Sequence, residues 1–237
     1  MKLWDKGFSI DKQIEKFTVG NDREIDMHIA KYDVQASLAH AIMLESIGII
    51  TADELKDLKR GLQELAATIE NGTFIIEASF EDVHSKIEWE LTHKLGEVGK
   101  KIHTARSRND QVLVALQLYY KENLAVINDK TKTLFETLLK LAETHKESLL
   151  PGYTHLQVAM PSSFGLWFSA YAELLIDDVY MLHAVAKVVD QNPLGSAAGY
   201  GSSFPIDREL TTKELDFATL KYNVVAAQLS RGKSERS

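Results

Sequence analysis

The chain has 237 residues, carries 34 acidic against 27 basic side chains for a net charge of −7, and contains no cysteine. A chain of this length buries roughly 70 to 75% of its unfolded surface. Its core therefore needs no staple, and the lack of thiols excludes disulfides and thiolate metal sites and fits a cytoplasmic location. The acidic excess argues against nucleic acid and anionic membranes as partners, so an anionic ligand has to be met by a local cluster of donors.

Residues 1–10 mix Lys2, Asp5 and Lys6 with apolar side chains and lack the continuous apolar run of a signal peptide. Ile25, Ile29, Tyr32, Ala36, Ala39 and Met43 recur at three- and four-residue spacing until Gly48 interrupts them, which predicts a helix. Thr51-Ala52-Asp53-Glu54 reads as a capping box and Asn71-Gly72 as the matching stop, so residues 52–70 complete a helical hairpin. A third helix is expected from near Glu81, where acids suit the positive end of the helix dipole, to Gly96.

From Ser107 the apolar series Val112, Leu116, Tyr119, Leu124, Ile127, Leu134, Leu138 and Leu141 runs without Gly or Pro until Pro151. A helix over 107–146 spans about 60 Å. A further helix over 162–190 is apolar nearly all round, but Glu173, Asp177, Asp178, His183 and Lys187 are too costly for a membrane span. Two such helices cannot bury each other and require more neighbours. A Gly/Ser-rich loop over 192–207 follows, and Thr211 to Glu214 reads as a capping box opening another helix. The expected fold is all-α, with a small N-terminal helical domain over 1–104 and, over 105–237, the first long helices of a central bundle that is incomplete at the C-terminus.

Three stretches are able to carry chemistry. In Gly99-Lys100-Lys101-Ile102-His103-Thr104-Ala105-Arg106-Ser107-Arg108-Asn109-Asp110-Gln111, a helix start offers free amides beside the side-chain donors of Arg106, Ser107, Arg108 and Asn109, which suits a carboxylate. The same residues equally suit a Ser107–Asp110 capping box with the arginines in surface ion pairs. In Pro151-Gly152-Tyr153-Thr154-His155-Leu156-Gln157, Thr154 offers a hydroxyl and His155 the side chain whose ordinary pKa suits proton transfer near neutrality. Pro193 to Ser203 lacks a phosphate-loop spacing and reads as a shaping loop, while His84 lies on the third helix. No spacing of histidines and acids matches a zinc site and no Gly-x-Ser-x-Gly elbow occurs, so neither metal nor cofactor is expected.

These motifs carry a resemblance. His103 to Val112 is similar to the argininosuccinate lyase segment HTGRSRNDQV, and Pro151 to Gln157 to its PGYTHLQ. Glu81-Asp82-Val83-His84-Ser85 and Pro205-Ile206-Asp207-Arg208-Glu209 also resemble family segments, in order along the chain. Fumarase and aspartase usually carry an Arg-Thr-His form at the second motif, so Tyr153-Thr154-His155 points to argininosuccinate lyase within the wider superfamily.

The resemblance implies a homotetramer whose long helices form one bundle, with each site built from three subunits, and cleavage of argininosuccinate to arginine and fumarate. It assigns Ser107, Arg108, Asn109 and Thr154 to substrate binding and His155 to acid/base work, with His84, Arg106 and Gln157 near the site. Other fumarate-releasing lyases and the non-enzymatic δ-crystallins share the fold and are the alternatives. Four departures stand out. Ala105 replaces the family glycine, a change that a helical or extended backbone tolerates, and Val114-Ala115 replaces a frequent Thr-Asp. Asp22 falls where a substrate-contacting serine is expected. Family members continue about as far again, and their Ser-Ser-x-Met-Pro-x-Lys-x-Asn loop, which bears the base and a lysine, does not occur in these residues; the chain is therefore expected to be an N-terminal half that is inactive alone.

Overall fold

Helix signals set the N-terminal layer, as a computed structural model describing residues 12–233 shows; the signal-peptide reading of residues 1–10 and the final Ser234 to Ser237 lie outside the described residues. Helix α1 (Lys12–Val19) precedes two short helical turns. Helix α2 (Ala30–Ser46) buries Tyr32, Ala36, Ala39 and Met43, the spacing expected of it. Helix α3 (Ala52–Glu70) starts at Thr51, whose hydroxyl accepts from Glu54 N–H while the Glu54 carboxylate accepts from Thr51 N–H, so the capping box forms. Helix α4 (Val83–Leu95) is capped by Asp82, which accepts from Ser85 N–H at 2.7 Å, and ends at Gly96.

Leu58 and Leu62 from α3, Ile87 and Leu91 from α4 and Leu44 from α2 form the centre of the core. Each such side chain contributes about 1.5–3 kcal/mol when fully buried.

Helix α5 (Arg108–Thr144) is the long helix, and α6 (Phe164–Val189) the apolar one. The segment between them is not a plain break. Strands β1 (Leu149–Thr154) and β2 (Gln157–Ser163) pair antiparallel around a two-residue turn, His155-Leu156, with a bulge between Gly152 and Tyr153. Strand signals are weak there because β1 and β2 are exposed along most of their length and show no apolar-polar alternation.

The capping box expected at Thr211 to Glu214 is also corrected. Helix α7 (Arg208–Glu214) starts four residues earlier, with Asp207 accepting from Leu210 N–H at 2.8 Å. Thr211 lies inside it and donates its hydroxyl hydrogen to Arg208 O at 3.1 Å, because a threonine within a helix turns its hydroxyl back to the preceding turn. Helix α8 (Val224–Leu229) follows, capped by Asn223.

Contacts group the chain into two compact units, residues 12–119 with 190–233 and residues 120–189, and the dividing line runs through α5. In the first unit Leu194, Leu215 and Phe217 join the core of α2 to α4. Arg208 fastens this return segment by donating to Leu194 O at 2.9 Å and Lys221 O at 2.8 Å.

In the second unit α6 starts against the end of α5, and a Cβ added at Gly165 would lie 2.6 Å from Lys146 Cα and 2.9 Å from Ala142 O. Gly165→Ala is therefore expected to cost about 1–3 kcal/mol, since backbone cannot yield as a side-chain tip does. An unchanged thermal midpoint would contradict the close approach. Along α6, Leu166, Leu174, Tyr180 and Met181 are exposed by 60 to 69%, so these apolar side chains are left largely uncovered by the described residues.

Candidate active-site residues

The first motif is built on a buried polar network. Asp33, Ser37 and His40 lie at i, i+4 and i+7 on α2 and are buried, although the surrounding core is apolar. Asp33 accepts from Gln111 Nε2 at 3.1 and 3.3 Å. His84 Nδ1 lies 3.0 Å from Asp33 Oδ2, near enough for charge attraction but out of line for a well-formed hydrogen bond.

Burial alone would raise the Asp33 pKa. The close approach of His84, the Arg106 charge and the Gln111 hydrogen bond together outweigh burial and hold it below the ordinary carboxylate value. His40 stays neutral, its pKa pushed well down by burial and then by Arg106, and its Nε2 donates to Thr104 O at 2.9 Å.

Asp110 is fully buried just inside α5. One oxygen accepts from Ser107 N–H at 2.9 Å, the other from Gly195 N–H at 3.1 Å and Ala197 N–H at 3.0 Å. The Ser107–Asp110 capping box is therefore half formed: Ser107 Oγ accepts not from Asp110 N–H but from Asn109 N–H, at 3.4 Å. Burial raises the Asp110 pKa, against the pull of the three amides and of Arg106.

The candidates divide by accessibility. Asn109 is exposed, and Ser107 and Arg108 are partly buried. Arg108 donates to Ser85 Oγ at 3.2 Å and Gln111 Oε1 at 3.4 Å, and its Nε lies 3.5 Å from Asp82 Oδ2. Arg106 is only 8% exposed and donates to Ser37 Oγ at 3.0 Å, so its charge faces Asp33, Asp110 and Glu88 inside the unit. His84 is buried beside Asp33 rather than presented at a surface. The aspartate at position 22, where a serine was expected, is exposed and adds to the acidic field of Asp26 and Asp82. Val114 and Ala115 are core residues, so the replaced Thr-Asp pair is a change of packing.

Ala105 corrects an expectation. Its φ is +60°, neither helical nor extended, which explains why a glycine suits this position. Ala105→Gly is expected to stabilise the protein by about 1 kcal/mol, a rise of roughly 2–4 °C in thermal midpoint. A lowered midpoint would contradict the strain.

The second motif lies in the second unit. His155 and Leu156 form the hairpin tip with φ of +48° and +64°, the left-handed pair that a two-residue turn needs and that Asn-Gly ordinarily supplies. Histidine tolerates this region better than leucine does, and Leu156 is nevertheless 98% exposed. Thr154 and Gln157 are exposed and face each other in register across the tip. The candidates thus fall into two groups, Ser107, Arg108 and Asn109 at the start of α5 and Thr154, His155 and Gln157 on the hairpin.

Neither of two clefts in the described residues is lined by a candidate. One of about 340 Å³ lies between α3 and α4, where Lys86 is engaged by Glu77 and Glu90 and Lys94 by Glu64. The other, about 350 Å³, lies between α5 and α6 in the second unit, over Phe135, Val179 and Tyr180.

Sequence reading missed Asp33, gave Asp110 only a capping role beside Ser107, and gave Gln111 no role of its own within the motif. The signal for Asp33 was present in the polar i, i+4, i+7 series within an apolar helix; nothing local marks Asp110 as reaching residues 85 and 87 positions away.

Comparison with known proteins places these features in a lineage. A family model described as lyase matches residues 8–236. The chain is 56% identical over 236 residues to the argininosuccinate lyase of Phocaeicola vulgatus, covering 100% of this chain and 53% of that protein. It is 47% identical over 234 residues to the argininosuccinate lyase of Thermotoga neapolitana, covering 99% of this chain and 59% of that one. The chain therefore spans about half the length of the curated relatives it matches. A crystal structure of EDDS lyase in complex with formate shares the fold at a TM-score of 0.77 and 24% identity, over 96% of this chain and 45% of that one.

Proposed function

The chain belongs to the lyase family, and from that premise we propose that it forms part of an argininosuccinate lyase. The reaction removes a proton from the carbon beside a substrate carboxylate, holds the resulting dianion with hydrogen-bond donors, and breaks the carbon–nitrogen bond to release arginine and fumarate. The observation that carries the reading is 56% identity to one such enzyme over the whole chain, with both motifs in place.

In this reading Ser107, Arg108 and Asn109 donate to the substrate, and Thr154 donates its hydroxyl hydrogen to a carboxylate. His155, exposed at the tip of its turn, is the acid/base group. Donors fixed before the charge develops supply the main stabilisation. The placement of His84 and Arg106 gives them a supporting role: they charge-balance Asp33 and Asp110 beneath the first motif.

The exposed apolar faces of α6 support association into a homotetramer, with residues 1–104 as the N-terminal domain and 105–237 as the first part of its bundle domain. No helix among the described residues is long and apolar enough to cross a membrane, and we place the reaction in the cytoplasm.

The complete gene product is expected to release fumarate and arginine in equal amounts from argininosuccinate and to leave adenylosuccinate, aspartate and malate unchanged. Turnover of one of those instead would assign a different superfamily lyase. Inactivity on all four would favour a crystallin-like role, which the exposed Asp22 in place of a serine supports. Residues 1–237 expressed by themselves are expected to release no fumarate, because the motif bearing the base and lysine is not among them; fumarate formed by that purified polypeptide would contradict this.

A further inference from the structure

Ser107, Arg108 and Asn109 are short of the rigidity that substrate positioning demands, since they stand at a helix end, where chains fray. Arg108 has its own partners in Ser85, Gln111 and Asp82, while the Ser107 backbone, whose hydroxyl takes the Asn109 N–H, is held by a single buried carboxylate. Asp110 takes the Ser107 N–H on one oxygen and the Gly195 and Ala197 N–H groups on the other. Two of these donors come from a loop that must adopt left-handed backbone to reach it, with φ of +86° at Gly195 and +51° at Ala197.

Ala197 is not a glycine, so this arrangement costs conformational energy, and a half-formed capping box would have served the helix alone without it. The loop is itself pinned from behind, where Gln228 donates to Ser196 Oγ at 2.7 Å and to Ala197 O at 3.1 Å. Arg208 donates to Leu194 O and adds, with Arg106, a positive field at Asp110.

We propose that Asp110 is a positioning residue: by joining the start of α5 to the 195–197 loop through one carboxylate, it holds Ser107 and Asn109 in the arrangement that meets a substrate carboxylate. The inference rests on the reading of Ser107 to Asn109 as substrate donors, and it adds the loop over 195–197, linked to them through the Asp110 carboxylate, to what sets their geometry. Misplacement of binding groups by about 1 Å is enough to cost two orders of magnitude in rate. An asparagine at position 110 keeps the volume but turns an amide NH₂ toward N–H donors, leaving at least one of the three without an acceptor.

The test compares four variants of the complete gene product by KM for argininosuccinate and by the inhibition constant of fumarate, with thermal midpoints measured alongside. Asp110→Asn is expected to raise both constants by about tenfold or more. Gly195→Ala leaves the Ser107, Arg108 and Asn109 side chains as they are, but its new Cβ would sit 2.8 Å from Arg208 Cγ and force the loop to shift, so both constants should rise by about threefold or more. Leu62→Ala, a core truncation in α3, should lower the midpoint and leave both constants within about twofold of wild type.

Ser107→Ala gauges the underlying reading. If it leaves both constants unchanged, the substrate site is misassigned and the inference falls with it. If Ser107→Ala raises them while Asp110→Asn and Gly195→Ala do not, the site stands and the positioning role is overturned. Equal rises in Leu62→Ala and Asp110→Asn would also overturn it, by showing that lost stability alone moves KM. Should Asp110→Asn not fold, Gly195→Ala decides the matter by the same criterion.

Discussion

His155→Asn in the complete gene product is expected to lower kcat by about 100-fold to 10,000-fold and to leave KM within a few-fold of wild type. Asparagine is the appropriate replacement because it accepts the left-handed backbone that His155 adopts at φ +48°, so the turn survives while the titrating ring is removed. A side chain that only shaped the hairpin would behave in the opposite way. Its loss would shift the thermal midpoint and leave the rate per folded molecule unchanged, and that result would remove His155 from the reaction.

Thr154→Ala provides the contrast one residue away. It deletes a neutral donor to a charged carboxylate, so about 1.5–3 kcal/mol is expected in kcat/KM, with KM raised as well.

Asp33→Ala is expected to destabilise the fold by about 3–5 kcal/mol, because it strands His84, Gln111 and Arg106 around a buried void without their anion. For a chain of this size the loss corresponds to roughly 6–20 °C in thermal midpoint. The pH dependence has a defined sign. Asp33 has its folded pKa below the unfolded value of about 3.9, so its contribution is present above that value and is lost as pH falls through the folded pKa. Asp110 is raised by burial and acts in reverse: what it contributes is present below its unfolded value and is lost as pH rises through the folded pKa. Asp33→Asn should therefore show a flatter acid limb than wild type when midpoints are followed from about pH 5 to pH 2. A limb as steep as wild type would mean that Asp33 is not the anion the network is built around.

The helices were legible because their signals are local. Thr51 with Glu54, Asn71-Gly72 and the apolar period of α2 each act within a turn or two; α3 and α4 form where those signals put them, and α2 does so from Ala30 on, while Ile25, which opens the expected series, is exposed ahead of it. The hairpin was not legible, since β1 and β2 lie mostly exposed and the left-handed turn at its tip uses histidine and leucine instead of Asn-Gly. The start of α7 was misplaced because two cap candidates compete there, and an aspartate four residues ahead of Thr211 takes the free amides first.

At the candidate site, residue types and order were enough to single out Ser107, Asn109, Thr154 and His155. They were not enough to separate accessible Arg108 from buried Arg106. That distinction depends on Ser37, which is 69 residues away and closes over the Arg106 guanidinium. The same holds for Asp110, whose partners Gly195 and Ala197 lie 85 and 87 residues further along, in the return segment of the first unit.

A crystal structure of the complete gene product with argininosuccinate or fumarate bound would show whether the first and second motifs, contributed by different copies of the chain, hold a dicarboxylate substrate. Side-chain or backbone donors of Ser107 and Asn109, and the Thr154 hydroxyl, are expected within about 2.6–3.2 Å of substrate oxygens, with His155 at hydrogen-bond distance of a substrate atom or of a water bridging to one. Substrate density lying elsewhere, for example in the cleft between α3 and α4, with Asn109 and His155 left facing solvent, would contradict this arrangement.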